Sequence, residues 1–70
     1  MTDWPATRPR QVLAALQRTG WRIVRQRGSH RVLAKEGRAN FVFAFHDAEE
    51  IGPKMLARIA RGTGLRFEDL

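Results

Sequence analysis

Apolar residues recur at helical spacing near both ends of the chain and gather into short runs between them. Val12, Leu13 and Leu16, with the small Ala14 and Ala15, form an apolar stripe of period 3.6. Thr7 is placed to cap this helix, Pro9 sits in its first turn where a missing N–H does no harm, and Gly20 ends it. Trp21–Arg27 then mixes aromatic and β-branched residues with arginine and reads as a strand. Gly28-Ser29 makes a tight turn, and His30–Lys35 returns as a second strand. Glu36–Asn40 carries another turn, and Phe41–Phe45 is the third and most apolar strand. His46–Ile51 is a polar connection, with Glu49 and Glu50 suited to the N-terminal side of a second helix. Gly52-Pro53 opens that helix, Met55, Leu56, Ile59 and Ala60 form its buried stripe, and Lys54, Arg58 and Arg61 lie off it. Gly62 and Gly64 offer stops, Leu65 folds back on the last turn, and residues 67–70 form a terminal turn. The order helix, three strands, helix predicts an α+β domain. Its three-stranded antiparallel sheet carries both helices on one face and leaves the other for a ligand.

Length restricts this picture. Seventy residues are read as one domain, with 1–7 a loose N-terminal segment. A chain of this size buries only about 60% of its unfolded surface, so its core is small. With few large apolar residues available, Phe41 and Phe43 are needed inside, which argues against an exposed phenylalanine platform for stacking bases; Phe45 is left open. The absence of cysteine removes disulfides and thiolate metal sites, and two histidines are too few for structural zinc, so no metal or cofactor is expected. The longest apolar run is too short to span a bilayer and the N-terminus lacks a secretory h-region; the expectation is a cytoplasmic protein with no membrane partner.

Charge changes the picture most. Thirteen Lys and Arg face seven Asp and Glu, eleven of the thirteen are arginine, and Arg18, Arg22, Arg25, Arg27, Arg31, Lys35 and Arg38 fall in one stretch whose only acid is Glu36. Clustered arginine suits bidentate phosphate contacts and points to nucleic acid. Within the cluster, His30 follows the Gly28-Ser29 turn. An imidazole near neutrality moves protons, and RNA brings its own nucleophile, the 2′-OH. Surrounding arginines would stabilise the negative charge of the transition state. His30 is therefore the candidate catalytic residue; Arg25, Arg27, Ser29, Arg31 and Lys35 are candidate RNA contacts, with Gly28 and His46 in support. His46 reads somewhat better as a loop residue, and Asp47, Glu49 and Glu50 lack any pattern that fixes a Mg²⁺ site.

The segment Arg25-Gln26-Arg27-Gly28-Ser29-His30-Arg31 after Gly20-Trp21 resembles the signature of HicA toxins, the small mRNA interferases of bacterial toxin–antitoxin pairs. The likeness continues through Phe45-His46, Glu50-Ile51-Gly52-Pro53, Leu56 and Ile59 to Gly64-Leu65 and Phe67-Glu68-Asp69-Leu70, spanning roughly residues 8 to 70. The chain departs from the pattern at Ala44, Asp47-Ala48, Gly37 and Lys54-Met55. The resemblance implies a double-stranded-RNA-binding-domain-like α-β-β-β-α fold. It also implies ribosome-independent endoribonuclease cleavage of mRNA with His30 as the catalytic residue. A HicB antitoxin would cover the site, with DNA met only through the toxin–antitoxin complex. The alternative is a non-catalytic basic RNA-binding module of the same fold. No helix-turn-helix is present, since three strands separate the helices.

Overall fold

Pro9 fixes the backbone for a first helical turn, and α1 runs from there over Pro9–Arg18 in the computed structural model, which describes residues 6–46 and 48–70. Met1–Pro5, the greater part of the expected loose segment, lie outside the described residues, as does Asp47. Thr7 does not cap the helix. Arg8 is the N-cap residue, and the Thr7 hydroxyl donates to Gln11 Oε1 at 2.6 Å. The Thr7 backbone is paired instead, exchanging hydrogen bonds of 3.0 and 2.7 Å with Ile51 across 44 positions of sequence. This bridge clamps the entry of the first helix to the entry of the second. At its other end α1 closes with the Trp21 N–H donating to the Leu16 carbonyl and the Gly20 N–H to that of Gln17, the paired bonds of a Schellman motif.

Three strands follow: β1 (Arg22–Arg27), β2 (His30–Ala34) and β3 (Phe41–Ala44), in spatial order β1-β2-β3 and antiparallel throughout. Gly28 takes φ +60°, as the first position of a two-residue hairpin with a leading glycine demands. The first ladder aligns Arg27 with His30, Arg25 with Val32, Ile23 with Leu33 and Arg22 with Ala34. It is interrupted by a bulge between Ile23 and Arg25. The second aligns His30 with Ala44, Arg31 with Phe43, Val32 with Val42 and Leu33 with Phe41. α2 (Pro53–Thr63) and a short 3₁₀ turn, η1 (Phe67–Asp69), complete the chain.

Directly opposed residues share a sheet face and successive residues alternate, so the register assigns the faces. Ile23, Leu33, Phe41 and Phe43 point one way and pack with Val12, Ala15 and Leu16 of α1 and Leu56 and Ile59 of α2 in a single core. Both helices therefore cover one face, as expected for the α-β-β-β-α order. Trp21, just before β1, is the largest side chain in this core, and its indole N–H donates to the Thr63 carbonyl at 3.2 Å. Leu56 and Ile59 of α2 are buried and Ala60 packs against the core, as expected, but Met55 is exposed and Thr63 joins the buried stripe. The Thr63 hydroxyl donates to the Ile59 carbonyl at 2.7 Å and accepts from the Leu65 N–H at 3.2 Å, so this polar group enters the core satisfied. α2 runs through Gly62, where an added Cβ would stand 2.9 Å from the Phe41 ring, so the helix lies directly against β3.

The helix stops at Gly64, whose φ of +76° lies in the left-handed region and whose N–H donates to the Ala60 carbonyl at 2.7 Å. Leu65 then turns back into the core. Alanine at Gly64 would carry a left-handed backbone and push a Cβ to 2.6 Å from the Arg38 guanidinium. Gly64→Ala is therefore expected to cost about 1–2 kcal/mol, seen as a lower urea midpoint with an unchanged slope.

Candidate functional site

The sheet face away from the helices has no cover among the described residues. It carries Arg22, Arg25 and Arg27 from β1, His30, Val32 and Ala34 from β2, and Val42 and Ala44 from β3. His30 occupies the centre of its hairpin-end row, flanked by Arg27 on one strand and Ala44 on the other. Its side chain is exposed and has no hydrogen-bond or ion-pair partner among the described residues. The same holds for the guanidinium groups of Arg22, Arg25 and Arg27: both ion pairs among the described residues belong to Arg66, with Glu68 and Asp69. Three unpaired cations beside a free imidazole form a surface ready for an anion.

The bulge at Val24 makes this arrangement. Strict alternation back from Arg27 and Arg25 would bring Ile23 to the open face and turn Arg22 to the core. The extra residue restores Ile23 to the core beside Leu33 and returns Arg22 to the open face opposite Ala34.

The candidate residues separate accordingly. His30, Arg25 and Arg27 share the open face, and Gly28 and Ser29 form the turn at its end. Arg31 and Lys35 are set apart. Arg31 is paired between Gln26 and buried Phe43, so its side chain leaves the sheet on the helix side and is half-buried. Lys35 lays its stem along the C-terminal end of α1, with Cε 3.3 Å from where a Gly20 Cβ would stand. A cation there also suits the negative end of the helix dipole. Arg22, which the sequence did not single out as a contact, joins Arg25 and Arg27 on the open face.

His46 lies two positions beyond Ala44, exposed. Its backbone N–H donates to Glu49 Oε1 at 3.1 Å and its carbonyl accepts from the Glu49 N–H at 3.0 Å. Glu49 therefore closes a turn around His46 rather than serving the N-terminus of α2, whose first turn holds no acid. Phe45 goes inward, edge-on to Phe43 with ring centroids 5.0 Å apart. The open face thus presents no phenylalanine. No group of three or more potential metal ligands occurs among the described residues, and no helix among them is long and apolar enough to cross a membrane.

No curated protein and no solved structure matches the chain. A family model described as the HicA toxin of bacterial toxin–antitoxin matches residues 9–65 of the 70-residue chain. The matched region starts with α1 and ends at Leu65, enclosing the whole sheet and both helices. The chain therefore belongs to the HicA toxin family and is the toxin of a toxin–antitoxin system.

Proposed function

We propose that this toxin is an endoribonuclease that cuts mRNA independently of the ribosome on its open sheet face, with His30 as its catalytic residue. The supporting observation is the row formed by Arg27 and His30: an exposed imidazole with no partner among the described residues, beside a cation with none among them. In the reaction the 2′-oxygen attacks the neighbouring phosphorus and its proton passes to a base. The P–O5′ bond breaks, and the leaving 5′-oxygen takes a proton. Neutral imidazole serves the first transfer and imidazolium the second, while Arg27 and Arg25 neutralise charge gathering on the phosphoryl oxygens. No metal is required for either step. A HicB antitoxin silences the toxin by covering this face, where Val42 stands about half exposed beside the arginine-bearing strand.

Expression of the wild-type chain is expected to arrest bacterial growth, and His30→Ala, folded to the same extent, is expected to abolish the arrest. Equal arrest by both would remove His30 from catalysis and favour the non-catalytic RNA-binding module. The two faces of the sheet supply a second expectation. Arg27→Ala should weaken RNA binding by roughly 1.5–3 kcal/mol, as for loss of a hydrogen bond to a charged group. Arg31→Ala, on the helix side, should act chiefly through lost packing of its stem. Filter binding and thermal unfolding of the two variants separate these effects.

A further inference from the structure

β1 and the other two strands divide the open face lengthwise. Arg22, Arg25 and Arg27 stand on β1, one per row, opposite Ala34, Val32 and His30. Beside them Val32, Ala34, Val42 and Ala44 make the rest of the face apolar except for His30. Rows two residues apart along β2 are about 6.8 Å apart, so the three rows that carry the arginines span about 14 Å, with the β1 bulge falling between those of Arg25 and Arg22. The row spacing is close to the separation of consecutive phosphates in an unstacked nucleic-acid strand.

We infer that β1 is a phosphate ladder for a single RNA strand, seating consecutive phosphates on Arg27, Arg25 and Arg22. The backbone runs along β1 and the bases lie towards Val32 and Val42. The bond to be cut lies at the His30 end, and the held strand extends from it in one direction. A single strand is favoured because in-line attack by the 2′-oxygen needs a backbone freed from the regular duplex. Arg22 is the positioning residue this adds: its row is two steps from His30, so it registers the strand without touching the reacting atoms. The location of the scissile bond and the preference for a single strand rest on the ribonuclease reading; the three phosphate seats do not.

Oligo(2′-deoxyuridine) probes with one to six phosphates test the ladder by fluorescence anisotropy. They lack the 2′-OH, so the readout is independent of catalysis. For the wild-type protein, affinity is expected to rise with each phosphate up to three and then level off. For Arg22→Ala it should level off at two. Between about 50 and 200 mM salt the longest probe should lose about 20-fold in affinity for wild type and about 7-fold for Arg22→Ala, from counterion release by three and two phosphates. Arg58→Ala removes the same charge from the exposed side of α2 and is expected to match wild type. A length plateau or salt dependence altered equally by Arg22→Ala and Arg58→Ala, or by neither, would overturn the ladder in favour of diffuse attraction. Equal competition by a duplex RNA of the same length would overturn the single-strand assignment. A wild-type protein that cuts no RNA would sink the nuclease reading and leave these binding steps intact.

Discussion

His30→Ala is expected to lower the rate of RNA cleavage by roughly 10²–10⁴-fold, the range over which a positioned proton carrier accelerates such a step. Stability should hardly change. The side chain is exposed, makes no hydrogen bond or ion pair among the described residues, and fills no part of the core. Substitutions of that kind usually stay within about ±0.5 kcal/mol. Single-turnover cleavage of an unstructured RNA, alongside thermal unfolding of the same preparation, separates chemistry from folding. His46→Ala is the internal comparison: His46 lies beyond the end of β3 and its hydrogen bonds among the described residues are made by its backbone, so a smaller loss is expected. A His46 variant as impaired as the His30 variant would move the second proton transfer into that loop.

Trp21→Ala is expected to remove about half of the domain's stability, and its urea midpoint with it. The indole is the largest fully buried side chain, and its truncation removes both core volume and the donor to the Thr63 carbonyl. Losses for a buried tryptophan run to about 3–5 kcal/mol. A domain of 70 residues has a total stability of roughly 3.5–10 kcal/mol. Trp21→Phe keeps most of the apolar volume and loses the hydrogen bond. It should remain folded with a deficit of about 1–3 kcal/mol, the cost of an unsatisfied buried carbonyl. Far-ultraviolet circular dichroism across a urea series distinguishes the three proteins; a cooperative, near-wild-type midpoint for Trp21→Ala would contradict this account of the core.

Much of the fold was legible because each boundary had its own chemical mark. Pro9 and Pro53 open the helices, Gly20 and Gly64 close them, and Gly28-Ser29 turns the first hairpin. Apolar supply also settled the phenylalanines: a chain this small needs Phe41 and Phe43 inside, and they are on the core face. The register sorts the candidate site residues by sheet face, which the sequence alone did not. His30 and Arg27 flank the turn on the open face, whereas Arg31, next to His30 in sequence, and Lys35 face elsewhere. Alternation along β2 is a signal that could have separated Arg31 from His30. Arg22 was hidden by the bulge, which shifts parity without any glycine or proline to announce it; an isoleucine forced outward by strict alternation was the available hint. The Thr7–Ile51 bridge joins segments 44 positions apart, and neither segment has a strand-like pattern.

That bridge bears on the order in which the molecule assembles. Thr7 meets Ile51, and Trp21 meets Thr63 across 42 positions, so both ends of the chain must converge on the sheet before the core is sealed. The β1–β2 and β2–β3 hairpins are local and can form early. The helices have only the sheet's inner face on which to bury their stripes. Closing such long loops is an entropic delay that local helix formation does not relieve, which places folding among the slower mixed α/β domains. The open face with His30 is thus built on two local hairpins, while the elements behind it are joined across 42 and 44 positions.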